Sequence, residues 1–451
     1  MDIHIELKRN EPKYLQLYEQ LKNSIVTGIL QSDEKLPSKR SFAADLHVSI
    51  HTVQQAYEQL LSEGYIYSKE RSGYFVAPYD IEWGTPTVDV CFEQPQPIAM
   101  NYNFKNGQVD ELAFPFKQWL KLYKQHLEPA VVANSSWQGE FSLRQQIVYY
   151  LQKVKGIQCH PEQVFISSGT QQQLQAICQF FGAVDVAMEE PGFHRATAVF
   201  HAQHLQVEAV PIDQYGATIP SSTPRLYYVT PAHQFPLGAV MSMERKQQLL
   251  KWAQQTTSYL IEDDYDSEFR YKGNPIPPLA QLDQLHHVIY FGSFSKTLMP
   301  SLRISYFVLP TALVQPFQLF YAAHKSLVSK VDQLTIASFM EEGYYARHIA
   351  KMRTLYRKKR ARLIAALKQH VGEQVNVLGE AAGLHIVLQL PAHLPEQTAI
   401  VLARQYGIAI DAVSTNYQCK SDNQYVMLGY GAIALEQIEE AVQLLAQAWN
   451  Y

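Results

Sequence analysis

Lys296 stands where a side-chain amine could do covalent chemistry. It follows the apolar run "VIYF" (288–291) and the serine-bearing turn "GSFS" (292–295), and Arg303 comes seven residues later. A lysine beside an anion-binding turn and a buried carboxylate is placed to form a Schiff base with an aldehyde. The spacing therefore indicates a covalent ligand, and an ordinary surface lysine is the alternative interpretation.

Four more apolar runs end, like this one, in polar or glycine-bearing turns. They are "VFIS" before "SGTQQQLQAI", "DVAM" before "EEPGFHR", "RLYYV" before "TPAHQFPLG" and "SYLI" before "EDDYDSEF". Short apolar runs that alternate with helical patterns predict a doubly wound α/β sheet. Ligands of such sheets bind beyond the carboxyl ends of the strands, so the five turns are expected to meet at one crevice.

The side chains of these turns match the groups of a phosphorylated pyridine aldehyde. A helix that opens at "SGT" (168–170) offers backbone N–H groups to an anion, and nearby serine and arginine donors suit a phosphate monoester. Asp263 could neutralise a protonated ring nitrogen, Tyr265 could donate to a phenolic oxygen, and Phe193 could lie against the ring. With Lys296 as the amine, the set predicts pyridoxal 5'-phosphate (PLP) as the cofactor.

The elements before residue 78 have a different character. Apolar residues recur at helical spacing from Tyr14 to Ile25, a short helix after "LPSKR" would bury Phe42, and Ser49 is placed to cap a third helix. The predicted apolar face of that third helix is Val53, Ala56, Tyr57, Leu60 and Leu61. Two aromatic-rich strands follow, joined by a polar turn that contains Gly73. Three helices and a hairpin predict an α+β winged helix-turn-helix that reads DNA in the major groove.

The ordered segments "LPSKR", "VSIHTVQQAYEQLLSEGY" and "SGYFVA" resemble the winged-helix domain of the GntR regulators over about the first 77 residues. The resemblance implies double-stranded DNA as a partner, and a protein-interaction module is the alternative. Base readout is expected from His51 and Gln54, with Ile50 against a thymine methyl. The predicted DNA-binding residues are Lys39, Arg40, Ser49, His51, Thr52, Gln54 and Gly73.

From about residue 101 the chain resembles a fold-type I aminotransferase. The motifs "EEPGFHRATAVF", "TPAHQFPLGAV", "IEDDYDSEFRY" and "GSFSKTLMPSLRISY" carry this likeness, and with the winged domain in front the whole chain resembles the MocR subfamily of GntR regulators. The resemblance implies a head-to-tail homodimer and a PLP site in the second domain. The predicted cofactor-binding residues are Lys296, Asp263, Tyr265, Phe193, Gly169, Thr170, Gln171, Ser293, Ser295, Arg303 and His233. Whether His233 or Gln234 touches the cofactor stays open, and no metal ligand is predicted.

Two positions bear on the small-molecule effector. Arg195, on the predicted loop after Phe193, is interpreted as a clamp for a ligand carboxylate, with a plain surface arginine as the alternative. Relatives commonly place a second carboxylate-binding arginine in a strand near the C-terminus, where this chain has Met427, and a thioether cannot pair with a carboxylate. The expected effector is PLP itself or a small amine or amino acid.

Composition limits the setting and the domain layout. A net charge of -4 neither favours nor excludes nucleic acid. Four cysteines without paired spacing, and the lack of an apolar leader or membrane-length run, favour a soluble cytoplasmic protein. Four prolines in residues 78–100 predict a linker between a winged domain, 1–77, and a PLP domain, 101–451. The latter is expected to have a large subdomain at about 110–330 and a small one at about 331–451. The stretch 347–362, with eight Lys and Arg and no acid, is interpreted as a solvated helix face, with DNA phosphate as the alternative contact.

The sequence as a whole favours a PLP-dependent transcriptional regulator. Its aminotransferase-like domain would sense a metabolite without productive turnover, and would alter the geometry of two DNA-binding domains. A working aminotransferase with an accessory DNA-binding domain is the second hypothesis. The third is a large domain that has lost the cofactor and serves only for dimerisation.

Overall fold

The computed structural model describes residues 5, 11–78, 100–271, 273, 276–284, 286–419 and 424–451. The predicted linker, 78–100, lies outside the described residues except at its two ends. The chain divides into two compact units, residues 1–96 and 97–451. In the described part of the chain, no helix is both long enough and apolar enough to cross a bilayer.

The first unit is a three-helix core with a hairpin. Its elements are α1 (Lys13–Val26), α2 (Lys39–Asp45), α3 (Ile50–Ser62), β1 (Ile66–Lys69) and β2 (Gly73–Val76), and the two strands pair antiparallel. The Oγ atom of Ser49 accepts a hydrogen bond from the Thr52 N–H at 3.1 Å, so the predicted cap starts α3. The predicted winged helix-turn-helix fold is confirmed.

One predicted core position of α3 is wrong. Leu60 is fully buried, whereas Leu61 is 38% exposed. Successive residues of a helix are turned by about 100° from one another, so a residue next to the centre of the buried face already points towards its edge. Leu61 therefore lies at the border of the core that its neighbour fills.

The second unit alternates strands and helices along the chain. Its strands are β3 (Tyr102–Asn103), β4 (Val164–Ser167), β5 (Val186–Glu190), β6 (Val207–Asp213), β7 (Gly216–Ala217), β8 (Leu226–Val229), β9 (Tyr259–Asp264), β10 (Val288–Ser293), β11 (Ser305–Val308), β12 (Asn376–Leu378), β13 (His385–Gln389), β14 (Ile408–Ala409), β15 (Asp411–Ala412) and β16 (Tyr425–Gly429). Its helices are α4 (Phe116–Gln125), α5 (Phe141–Tyr150), α6 (Thr170–Phe181), α7 (His194–Ala202), α8 (Met243–Thr256), α9 (Leu279–Asp283), α10 (Thr311–Tyr321), α11 (Lys330–Glu341), α12 (Tyr344–His370), α13 (Glu396–Gln405) and α14 (Ile438–Ala448). A π-helical turn, Leu151–Lys155, extends α5.

All five predicted strands lie in one eight-stranded sheet of order β4-β11-β10-β9-β8-β5-β6-β7. Strands β10, β9, β8, β5 and β6 pair parallel, and β4 has the same direction because both β4 and β10 are antiparallel to β11. The carboxyl ends of the five predicted strands therefore meet at one edge of the sheet. This is the α/β architecture that the alternating pattern predicts.

A second, smaller sheet of order β12-β13-β16-β15 has its own hydrophobic core with α13 and α14. The long helix α12 joins the two cores, since Ile349 packs in the core of the large sheet and Tyr356 in the core of the small one. The interpretation of residues 347–362 as a solvated face is therefore partly wrong. Lys359 is 1% exposed and its Nζ lies 2.7 Å from the Asp110 carboxylate, because a helix between two cores must bury one face.

Candidate cofactor and DNA-binding sites

Three consecutive acids at the end of β9 have three different environments. Glu262 accepts hydrogen bonds from the Leu279 and Ala280 N–H groups at the start of α9, at 2.8 and 2.9 Å. Asp264 pairs with Lys155 at 2.9 Å and accepts the Tyr290 hydroxyl at 2.6 Å. Side chains alternate across a strand, so Asp263 points to the opposite face.

Asp263 is buried and has no cationic partner among the described residues. It is 5% exposed, and the Tyr228 hydroxyl donates to its Oδ2 at 2.5 Å. Burial raises the pKa of Asp263 to about 7, although hydrogen bonds from Tyr228 and Thr170 act in the other direction. A cation placed against this carboxylate would remove most of the cost of its burial.

Lys296 comes three positions after the last residue of β10, and burial lowers the pKa of its amine to about 8. The carboxylates of Asp266 and Asp411 oppose this shift. Its Nζ donates to the Asn106 Oδ1 at 3.5 Å, and the Asn106 N–H donates to Asp411 at 2.7 Å. About a tenth of the amine is therefore neutral, and nucleophilic, at pH 7, far more than for a lysine with the ordinary pKa of 10.5.

One predicted phosphate-binding side chain, that of Arg303, lies against the start of α6. Gly169 has a φ of 126°, and a Cβ atom there would lie 2.3 Å from the Arg303 Nη2. That same Nη2 donates to the Ser168 carbonyl at 2.9 Å, and the Ser293 Oγ accepts from the Ser295 N–H at 3.1 Å. Gln171 is exposed on the outer face of α6. The glycine thus lets an arginine lie against the first turn of a helix whose N–H groups suit an anion.

The predicted ring-contacting residues lie in one mixed cluster. Phe193 meets Phe235 edge to face at 5.6 Å, and both pack with Tyr265 and Met427. The Tyr265 hydroxyl donates to the His233 carbonyl at 2.8 Å. Met427 is 3% exposed in these apolar surroundings, where an unpaired carboxylate would be costly.

The structure separates His233 from Gln234. The Gln234 Nε2 donates to the carbonyls of Pro191 and Phe235 at 2.8 and 2.6 Å, so backbone carbonyls take both amide hydrogens. The His233 Nδ1 lies 3.1 Å from an Asp266 carboxylate oxygen and 3.1 Å from the Tyr265 hydroxyl. His233 is therefore the residue of the pair that is linked to a predicted ring contact.

Sequence reasoning missed a buried cluster of His233, Asp266 and His385, whose ligand-type atoms lie within 4.8 Å of one another. The His233 Nε2, the Asp266 Oδ1 and the His385 Nδ1 are buried and lack a hydrogen-bond partner in the described part of the chain. Asp266 lies in a quoted motif, but His385 comes from β13, 119 positions later, and no local pattern connects them. The cluster contacts Tyr265 through His233, whose Nδ1 lies 3.1 Å from the Tyr265 hydroxyl.

Arg195 does not lie on a loop. Phe193 precedes the first residue of α7, and Arg195 is exposed on the first turn of that helix. Within the described ranges it forms no ion pair or side-chain hydrogen bond. A contact with an external carboxylate remains a prediction.

The predicted DNA-binding residues lie on the helix-turn-helix and the hairpin. Arg40, Ser49 and His51 are exposed, while Lys39, Thr52 and Gln54 are partly exposed. The Gln54 Nε2 donates to the Glu58 Oε1 at 2.7 Å, so one amide hydrogen is already used within α3. Gly73, with a φ of 113°, starts the second hairpin strand. Of the two polar base-reading candidates, His51 and Gln54, His51 is the more accessible.

Two family models match the chain. The model "Bacterial regulatory proteins, gntR family" matches residues 13–76, and "Aminotransferase class I and II" matches residues 101–443. Among solved structures, the kynurenine aminotransferase of Pyrococcus horikoshii is 23% identical with a TM-score of 0.71, over 79% of this chain and 91% of its own. The fold of the second unit is therefore that of the class I and II aminotransferases.

Relatives extend over the full length of the chain. The HTH-type transcriptional regulator YdeL of Bacillus subtilis is 41% identical and the match covers 100% of both chains. The probable rhizopine catabolism regulatory protein MocR of Rhizobium meliloti is 32% identical over 97% of this chain and 94% of its own. Both units are thus shared, in the same order, with proteins named as regulators.

Proposed function

This chain belongs to the MocR subfamily of the GntR regulators, and from that premise we propose that its second unit binds PLP at Lys296 and senses a small molecule through it. The chain is a DNA-binding transcriptional regulator with an aminotransferase-like domain. The observation that supports PLP most directly is the buried carboxylate of Asp263, whose pKa is raised to about 7 on the same crevice as an amine whose pKa is lowered to about 8.

The residues fit the cofactor group by group. Lys296 would hold the aldehyde carbon, Asp263 the ring nitrogen, Tyr265 the ring hydroxyl and Phe193 the ring face. The phosphate would take the donors of Gly169, Thr170, Gln171, Ser293, Ser295 and Arg303. When bound, PLP supplies an aldehyde that amines attack and an electron-withdrawing ring. Burial keeps part of the Lys296 amine neutral for that attack, and the Tyr228 hydroxyl fixes the orientation of the Asp263 carboxylate.

We propose that this unit senses its ligand and does not turn it over. Full-length relatives are named as regulators, and Met427 offers no charge to a second ligand carboxylate. The effector is then PLP itself, or an amine or amino acid held by Arg195. A working aminotransferase is the second candidate, because the Lys296 and Asp263 pair that such chemistry uses is intact.

A homodimer with head-to-tail arrangement is part of the proposal. Two winged units on one dimer would read two half-sites, and exposed His51 and Arg40 on each would contact DNA. A cytoplasmic location would follow from chromosomal DNA as the partner. Gel shift with the promoter region that adjoins its own gene should show sequence-selective binding at moderate salt, and binding that is equal for unrelated DNA would contradict the regulator function.

Borohydride reduction tests the cofactor directly. Protein grown with ample vitamin B6 is reduced and digested, and the peptides are mapped for a pyridoxyl-lysine adduct. We expect the adduct at Lys296 in the wild type and in the control Lys325→Ala, whose lysine is exposed, and none in Lys296→Ala. For the PLP-free protein, the rate of attachment should rise with pH through about 8, because the neutral amine is the nucleophile. A wild type without the adduct would refute the proposal.

Turnover separates the sensor from the enzyme. Candidate amines and amino acids are incubated with the PLP-loaded protein and a keto acid, and product formation is followed. The sensor function predicts no sustained turnover. A rate of about 1 per second or more, typical of enzymes, would favour the aminotransferase instead.

A further inference from the structure

A cavity of about 530 Å³ opens in the second unit beside the long helix α12. Its wall includes Lys155 at the end of the π-helical turn, Glu268 and Arg270 after β9, Gln281 on α9, and Arg353 and Arg357 on α12. None of the predicted cofactor-binding residues is among its described lining residues. The cavity is therefore distinct from the crevice at Lys296.

Three guanidinium groups of this cavity lack a carboxylate partner among the described residues. The Nε of Arg353 donates to the Glu268 carbonyl at 2.9 Å, and its two terminal nitrogens form no hydrogen bond with the residues that the structure describes. The Nε of Arg270 is buried and has no partner in the described part of the chain, and burial lowers the pKa of that guanidinium. Arg357 is exposed and forms no ion pair within the described ranges.

The acid in the wall compensates these charges only in part. Glu268, the one acid among the described lining residues, accepts the Tyr150 hydroxyl at 2.7 Å and pairs with Lys155 at 2.9 Å. Lys155 also pairs with Asp264 at 2.9 Å, so two carboxylates share one lysine and leave one negative charge over. The positive charges of the three guanidinium groups exceed that charge by two, and a buried or half-buried guanidinium without an anion is unfavourable.

Three other basic residues of α12 have acidic partners. Lys359 pairs with Asp110 at 2.7 Å, Arg360 with Glu380 at 3.3 Å, and Arg362 with Glu439. The basic residues of α12 that, like Arg353 and Arg357, form no ion pair within the described ranges but do not line the cavity are exposed ones: Arg347, Lys351, Lys358 and Lys368. Arg353 and Arg357 are four positions apart, so they share one face of the helix, and that face is the one at the cavity. What distinguishes these two arginines is that they face the same cavity as Arg270.

From this geometry we infer that the cavity is a second binding site for a small ligand with several anionic oxygens, of the polycarboxylate or phosphomonoester class. Arginine forks bind such oxygens in pairs, and the volume is in the range of small-molecule sites. Ile276, Pro277 and Pro278 provide an apolar wall for a carbon skeleton. The inference does not depend on PLP, because none of these residues takes part in the Lys296 site.

Calorimetric titration of the full-length protein tests the site. The two probes are citrate and inorganic phosphate at constant ionic strength, so that the arms distinguish a carboxylate from a phosphate ligand. Arg357→Gln should weaken the tighter probe about 10-fold or more, as expected for the loss of a charge-assisted hydrogen bond. The control Lys358→Gln removes the same charge from an adjacent exposed position that does not line the cavity, and should change affinity less than 2-fold.

Further measurements test whether this second binding site exists. Probe binding that persists in Lys296→Ala supports a site separate from the cofactor crevice, whereas loss of binding in that variant would overturn the inference. Absence of saturable binding by both probes, or equal affinity in wild type and Arg357→Gln, would also overturn it. If Arg357→Gln instead weakens only the binding of non-specific duplex DNA, the cavity face contacts DNA phosphates and the small-ligand site is refuted. Circular dichroism of each variant shows that the fold is retained.

Discussion

The two units place their candidate functional residues in opposite ways. On the winged unit, Arg40 and His51 are exposed, and their side chains form no hydrogen bond or ion pair in the described part of the chain. In the second unit, Asp263 and His233 are buried, and each is hydrogen-bonded to a further polar side chain. An exposed residue that reads DNA has little effect on the free energy of unfolding. For a buried ionisable residue, the environment that shifts its pKa also changes the stability of the fold and the affinity for a charged ligand.

Asp263→Asn should show the largest effect of that linkage. The amide keeps an acceptor for the Tyr228 hydroxyl but cannot balance a ring cation, so PLP affinity should fall at least about 30-fold, or about 2 kcal/mol. The measurement is a titration of PLP-free protein followed by absorbance. An unchanged affinity would mean that Asp263 does not face the ring nitrogen.

The same variant should be more stable than the wild type without ligand. The pKa of Asp263 is about 7 when folded, above the ordinary value of 3.8, so the folded state binds the proton more tightly and this carboxyl disfavours folding increasingly as pH rises from about 4 to 7. At pH 8 the asparagine avoids this cost, and the free energy of unfolding in urea should rise by on the order of 4 kcal/mol, from a pKa shift of about three units. The difference should vanish towards pH 4, and a constant difference would contradict the raised pKa.

Gly169→Ala should have the next largest effect. Its φ of 126° and ψ of 168° belong to a region that is essentially restricted to glycine, so alanine should cost about 1–3 kcal/mol of unfolding free energy. The new Cβ would also displace the Arg303 guanidinium from the Ser168 carbonyl and weaken phosphate binding. The control Gly372→Ala also has a positive φ, of 68°, but nothing within 4 Å, so it should leave PLP affinity unchanged. Equal PLP affinity in both variants would exclude a role for this turn.

The sequence predicts five strands of the large sheet because each is an apolar run of four or more residues with a polar turn after it. Asp263 is found by the same logic, as an acid at the end of such a run. Tyr228 is not found, because a tyrosine inside a buried strand is typical of a core residue until its hydroxyl partner is known.

Local sequence patterns do not predict contacts between residues that are far apart in the sequence. The bond from Asn106 to Asp411 links positions about 300 residues apart, and no periodicity relates them. The sequence does not predict the buried face of α12 for a similar reason. Its charged residues are typical of a solvated helix, and only the structure shows that the helix packs against two hydrophobic cores. On the winged unit such contacts matter less, because the helical spacing and cap signals are local.

Ser49→Ala tests whether a local cap determines where α3 of the winged unit begins. The hydroxyl caps α3, and its loss should lower the unfolding free energy of this unit by about 1 kcal/mol. The matched control is Ser62→Ala at the other end of the helix, where the exposed hydroxyl only bonds the Gln59 carbonyl within the same turn. Thermal unfolding by circular dichroism measures both. Equal melting temperatures for the two variants would show that the cap does not determine the start of the recognition helix.

His51→Ala should have the smallest effect on stability and still change function. The side chain is exposed at the first turn of α3 without a side-chain partner in the described structure, so the unfolding free energy should stay within about 0.5 kcal/mol of the wild type. Base readout by a side chain contributes about 1–3 kcal/mol of discrimination, so preference for the operator over unrelated DNA should fall while non-specific affinity is kept. Arg40→Ala is the matched comparison, because loss of a phosphate contact should weaken binding to both DNAs alike and reduce its salt dependence. If His51→Ala weakened both DNAs equally, the imidazole would be a backbone contact, and Gln54 would be the next candidate for base readout on this helix.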